Sequence, residues 1–243
     1  MRFAFAISAL VLSSTTASAE DFPAPSAGGA LLSGAGLPVR DAPPLERWAG
    51  HQVVLGSQDL ALLGAIDTRA ESFVIADVRR YPDKLVMTQY TCRVAMAEAA
   101  GVQASMKDTT ARTLPPVKIE IPVGDAGGYR PSTWVSEWGS ADFDGDGEDG
   151  VTVEVDAPLC GGSLYLSSRT TTKALVNPYQ KAIEAFIDVR VEQEILDTSN
   201  ICLDLATSDS IEEVAGRVRY APVASSSTCD SLFRQGWPVL VPL

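Results

Sequence analysis

The chain has 243 residues and carries 31 acidic against 19 basic side chains, for a formal net charge of −12. A surface of that sign repels phosphate backbones and anionic lipid, so nucleic acid is excluded as an expected partner. A single histidine also leaves too few nitrogen ligands for catalytic zinc.

The N-terminus reads as a cleaved secretory signal over residues 1–19. Arg2 precedes an apolar run from Phe3 to Leu12, and small residues end in Ala17-Ser18-Ala19, which places cleavage after Ala19. The apolar run is too short to cross a bilayer, so the expectation is a mature protein without a membrane span, periplasmic or extracellular. Losing Arg2 leaves 18 basic against 31 acidic residues, a net charge of −13. Residues 20–44 are rich in Pro, Gly, Ala and Ser without hydrophobic period and read as a flexible linker. Residues 45–243 form the expected single β-rich globular domain.

Within that domain, alternation with period 2 recurs. Ser72 to Arg79 and Lys84 to Cys92 flank Tyr81-Pro82-Asp83 and read as a hairpin. Val117, Ile119 and Ile121 alternate with Lys118 and Glu120, and Val151, Val153 and Val155 alternate with Thr152, Glu154 and Asp156. Leu164 and Leu166 oppose Tyr165, while Ile187, Val189 and Val191 oppose Asp188, Arg190 and Glu192. Val218 and Tyr220 alternate with Arg217 and Arg219. Each pattern is that of a half-buried strand.

Two segments carry helical signals. Asn177-Pro178-Tyr179-Gln180 offers a cap and a first-turn proline, with Tyr179, Ile183 and Phe186 sharing one helical face. Ala95 to Met106 is alanine-rich, although Gly101 weakens it. Many short strands with little helix predict a mainly β fold: a single antiparallel β-barrel or sandwich with one or two short helices.

All four cysteines, Cys92, Cys160, Cys202 and Cys229, remain after cleavage, and an oxidising compartment favours two disulfides. Of three possible connectivities the favoured one joins Cys92 to Cys160 and Cys202 to Cys229, the latter closing a short loop.

The sharpest chemical feature is Asp142-Phe143-Asp144-Gly145-Asp146-Gly147-Glu148-Asp149-Gly150, directly before the strand at Val151. Carboxylates at positions 1, 3 and 5, followed by a turning glycine at position 6, converge as hard oxygen ligands suited to calcium. The segment resembles the calcium loops of EF-hand-like proteins and of the FG-GAP repeats of integrin α chains, over about a dozen residues. The resemblance implies Asp142, Asp144 and Asp146 as side-chain ligands and Glu148 at the carbonyl position. Position 9 is Gly150 and position 12 is Val153, where those loops carry acids, which leaves Asp149 or water to complete the shell. The alternative is an acidic β-turn without metal.

Trp134, Ser136 and Trp138 fall on one strand face, where the two indoles either stack on a ligand such as a sugar ring or fill the core. Asp188, Glu192 and Glu194 read as a solvated face, as do Arg217 and Arg219. His51 has no nucleophile elbow to serve. The expectation is a non-enzymatic, calcium-binding, disulfide-stabilised interaction module, whose partner is a protein, a glycan or an apolar small molecule. A barrel carrying a lipid-like ligand and a glycan-active protein are the alternatives.

Overall fold

The computed structural model describes residues 43–60, 64–99, 101–107, 114–123, 128–158, 160–178 and 182–242. The expected signal peptide, residues 1–19, and all but residues 43 and 44 of the expected linker lie outside the described residues.

Among the described residues, ten strands form one antiparallel sheet: β1 (Glu46–Leu60), β2 (Gly64–Arg80), β3 (Lys84–Ala99), β4 (Val102–Met106), β5 (Val117–Pro122), β6 (Arg130–Trp138), β7 (Val151–Asp156), β8 (Gly162–Asn177), β9 (Ile183–Thr198) and β10 (Ser210–Val223). The same residues include two short helices, α1 (Ile201–Ala206) and α2 (Cys229–Gln235). Hydrogen-bonded pairing runs β1–β2–β3–β4–β7–β8–β9–β10 and returns from β10 to β1, so the sheet closes on itself as a barrel-like ring. Closure gives each of these eight strands a hydrogen-bonded neighbour on both sides.

The wall between the long strands β3 and β8 is made in two halves. β5 lies against Lys84–Gln89 and β4 against the Ala95–Ala99 end of β3. On β8, β7 pairs at the Gly162–Leu166 end and β6 from Ser168 to Val176. β4 meets β7 through four register pairs. β5 and β6 are tied by the Ser132 hydroxyl, which donates to the Glu120 carbonyl at 2.7 Å.

Alternation sends every second side chain inward. One apolar cluster gathers Trp48, Val74, Leu85, Ile119, Trp134, Ile183 and Tyr220, and a second gathers Val94, Met106, Trp138, Val151, Val153, Leu164 and Leu166. Each fully buried aliphatic side chain contributes roughly 1.5–3 kcal/mol, so the filled interior is the main source of stability. Inward-facing Ser136, Ser168, Thr170, Thr172 and Gln193 are buried along β6, β8 and β9. α1, whose first turn is capped by Asn200 accepting the Leu203 amide, sets Leu203 into the second cluster. α2 starts with a Thr228–Ser231 capping box and packs Leu232 and Phe233 with Ala49, Phe73 and Ile75 on the outer face of β1 and β2.

The described residues of both expected helices lie in strands or in the turns between them. The chain from Ala95 continues β3, turns at Gly101 with φ +80°, and returns as β4, because Val94 and Met96 face the same core as Val102, Ala104 and Met106. β8 extends through Asn177 and β9 begins at Ile183. Residues 179–181 of that expected helix lie outside the described residues. Ile183, Ala185 and Ile187 enter the core together, whereas Phe186 points out beneath the Arg217 guanidinium, 4.9 Å from its ring. Burial of the period-2 set outweighed the local cap.

The disulfides also differ from the favoured connectivity. Cys92 pairs with Cys229 and Cys160 with Cys202. Between Cys202 on α1 and Cys229 on α2 runs the 14-residue strand β10, which extends about 45 Å at roughly 3.4 Å per residue and carries the two cysteines apart. A bulge in β3, where Phe73 pairs with Arg93 and Val74 with Thr91, leaves Cys92 as the extra residue and places it in the outer layer with Leu232. Two bridges of this kind accord with an oxidising, exported compartment. Among the described residues no helix is long and apolar enough to cross a membrane.

Candidate metal site

The acidic loop fills the gap between β6 and β7. The last residue of β6, Trp138, pairs with Ser168, and the first of β7, Val151, pairs with Leu166, so the chain leaves β8 and rejoins it two residues away. Trp138 and Val151 are both anchored in the second cluster, and Phe143 packs against it from within the loop. The loop base is closed by the Phe143 amide donating to the Gly150 carbonyl and the Gly150 amide to the Ser140 carbonyl, each at 3.2 Å. Gly150 sits at φ +84°, where an added Cβ would lie 2.5 Å from the Leu166 carbonyl oxygen. Only glycine combines that backbone with that approach.

Asp142 organises the turn. Its Oδ1 accepts the amides of Gly145 at 2.6 Å and Asp146 at 3.3 Å, and its Oδ2 accepts that of Gly147 at 3.0 Å. The Gly147 amide, helped by those of Gly145 and Asp146, holds the Asp142 carboxyl below its ordinary range. Asp146 lies across the turn. Its Oδ1 accepts the Glu148 amide at 3.0 Å, and its Oδ2 accepts the Thr152 hydroxyl at 2.7 Å and the Lys107 ammonium at 3.0 Å. Burial works against its charge, but the Thr152, Glu148 and Lys107 donors together keep its pKa low.

Asp144 is the anomaly. It is 2% exposed, and its Oδ2 accepts the Thr152 amide at 2.8 Å. Its Oδ1 is buried with no hydrogen-bond partner among the described residues. Burial raises the pKa of this carboxyl above its ordinary value, with Asp146 and Asp142 adding to the rise. Oxygen atoms of Asp142, Asp144 and Asp146 lie within 4.8 Å of one another. Asp142 and Asp146 accept donors at both oxygens, whereas Asp144 accepts one at Oδ2 and leaves Oδ1 without one, an arrangement that could hold a cation. The donor set is all oxygen, which suits a hard cation and not a thiophilic metal.

The structure therefore brings together Asp142, Asp144 and Asp146. Glu148 supplies an amide to Asp146, and Glu148 and Asp149 are both exposed outside the converging group. Trp134 and Trp138 are buried, one in each apolar cluster, so neither indole forms an exposed stacking face. Glu192 pairs with Arg190 on the outer wall, and Arg219 pairs with Glu184. His51 is 2% exposed beneath the C-terminal segment, its Nδ1 accepting the Val241 amide at 2.9 Å.

Two contributors escaped the reading of the sequence. Thr152 alternates with Val151 and Val153 and looks like a solvent position, yet it is buried and donates to both Asp144 and Asp146. Lys107 arrives from β4, 39 residues from Asp146, and no local pattern announces it.

A groove of about 920 Å³ crosses the wall from Glu137 on β6 through Arg169 on β8 and Glu192 on β9 to Ile211 on β10. Gly139 and Ser140, where the acidic loop leaves β6, form part of its lining. No protein-family model, curated protein or solved structure matches the chain.

Proposed function

We propose that this is an exported β domain that binds calcium at Asp142, Asp144 and Asp146 and acts as a non-enzymatic interaction module. The observation that carries the cation reading is the buried, unpartnered Oδ1 of Asp144 between two further carboxylates. Calcium fits better than magnesium, because an exposed loop rich in glycine tolerates irregular oxygen coordination with water in the remaining positions. The loop borders the groove at Gly139 and Ser140. A cation that orders the loop thus shapes one side of the surface through which the module acts.

The lipid-carrier alternative gains little from an interior already filled by Trp48, Trp134, Trp138 and Tyr220. The glycan reading has lost its exposed indoles and keeps only the groove.

Calorimetric titration of calcium into chelator-stripped mature protein tests the proposal. Saturable binding with a matching rise in melting temperature is expected, with magnesium weaker. No heat at millimolar calcium and no shift in melting temperature would reduce the loop to a turn.

A further inference from the structure

The cluster already contains a cation belonging to the protein. The Lys107 ammonium is 3.0 Å from Asp146 Oδ2, the oxygen that also accepts the Thr152 hydroxyl. Its backbone is clamped as well, since the Lys107 amide donates to the Thr152 carbonyl at 2.9 Å and continues the β4–β7 ladder by one rung. Thr152 is the floor of the site, so the strand pairing that builds the site also delivers this lysine to it. The Asp146 side chain is 13% exposed and that of Lys107 37%, which leaves the pair partly shielded from solvent.

We propose that the Lys107 ammonium is the resident counter-cation of the Asp142–Asp144–Asp146 cluster, and that a divalent cation takes the site by displacing it from Asp146. The inference rests on the reading of the cluster as a cation site. Three carboxylates carry three negative charges, and Lys107 neutralises one of them. Asp146 Oδ2 already accepts two donors, so an incoming ion takes that oxygen only by replacing one. The Glu148 amide is part of the turn and the Thr152 hydroxyl is buried with its strand; the lysine, on a flexible four-carbon stem, is the donor that can leave. Asp146 raises the Lys107 pKa, so the competitor stays charged at physiological pH. Lys107 therefore weakens cation binding twice, by occupying Asp146 and by repelling a second positive charge at short range. In exchange it stabilises the cluster when calcium is scarce.

The test is a calcium titration of the mature protein and of its Lys107→Met, Lys107→Gln and Lys107→Arg variants at fixed ionic strength. Removing the charge is expected to tighten the dissociation constant about tenfold, equivalent to ~1.4 kcal/mol. Lys107→Arg, which keeps the charge, should bind as the wild type does. Without calcium the Met and Gln variants should melt below wild type, and with saturating calcium the gap should close. A purely structural lysine would leave the gap open. In an Asp146→Asn background, Lys107→Met should no longer change the affinity. Wild-type binding accompanied by unchanged or weaker binding in both neutral variants overturns the inference and leaves the cation site standing. No binding by any of the proteins overturns both.

Discussion

Asp144 and Thr152 are eight residues apart and form the floor of the acidic loop, the Thr152 amide donating to Asp144 Oδ2 at 2.8 Å in a buried setting. The other oxygen of the same carboxylate has no such donor among the described residues. Replacing Asp144 with Asn keeps an acceptor for Thr152 and removes the buried charge. The metal-free variant should melt at or above the wild-type temperature. The calcium-dependent rise, about 2.7 kcal/mol at a hundredfold excess over the dissociation constant, should largely vanish. Thermal melts with calcium and with chelator measure both arms, and a full calcium response in the variant would remove Asp144 from the ligand set.

Thr152→Val separates the floor from the ligands. It preserves the backbone donor to Asp144 and the buried volume, but deletes the hydroxyl bond to Asp146. A hydrogen bond to a charged group is worth about 1.5–3 kcal/mol, so chemical denaturation without calcium should show a loss near the lower figure.

The two bridges should differ in weight. Cys92–Cys229 spans 137 residues and Cys160–Cys202 spans 42. Loop-closure entropy makes the loss of the first cost about 5 kcal/mol and of the second about 4 kcal/mol in the chain-entropy account. Paired Cys→Ser variants, unfolded in denaturant, give the comparison. Peptide mapping without reductant should recover Cys92 linked to Cys229, and recovery of Cys202 linked to Cys229 would contradict the topology.

Strands with one apolar face were legible because their signal is local. Val117, Ile119 and Ile121 are all buried and their neighbours Lys118 and Glu120 exposed, as alternation requires. The Asp142-Asp144-Asp146 convergence was legible for the same reason, since spacing within a tight loop sets it. What escaped was decided at long range. Ile183 satisfies helical spacing with Phe186 and strand spacing with Ala185 equally well, and its pairing opposite Tyr220 settles the matter. Cysteine connectivity depends on where β10 carries the chain. Lys107 joins the acidic loop only because β4 pairs with β7. The caps of α1 and α2, Asn200 and Thr228, were visible residues, but helices of 6 and 7 residues carry too few turns to show a period.

Two glycines of the loop test how tightly it is seated. Gly147 has φ +91° with nothing within 4 Å of an added Cβ, so Gly147→Ala should cost only the backbone penalty, about 1 kcal/mol. Gly150 adds contacts of 2.5 Å to the Leu166 carbonyl and 2.8 Å to Leu196, and Gly150→Ala should cost about 3 kcal/mol as backbone strain and overpacking combine. Equal losses in the two variants would mean that the loop does not rest on β8 and β9.

His51 provides the pH dependence. Its Nδ1 accepts the Val241 amide at 2.9 Å and its Nε2 lies 3.3 Å from Glu71, so the neutral ring carries its proton on Nε2. Protonation would set a second N–H against the Val241 amide and undo that contact. Burial holds the His51 pKa below its ordinary value of 6.5, outweighing the bond to Glu71, and the nearby Arg69 acts in the same direction as burial. Below 6.5 the unfolded chain takes up a proton that the folded protein still refuses, so stability rises with pH in that window. The contribution is complete above pH 6.5 and is lost as the pH falls through the folded-state value. The melting temperature should be flat from pH 8 to 7 and decline toward pH 5, and hydrogen exchange at the Val241 amide should accelerate over the same interval. His51→Asn, which offers an acceptor that does not titrate, should remove the decline. An identical slope in wild type and variant would assign the acid sensitivity to other groups.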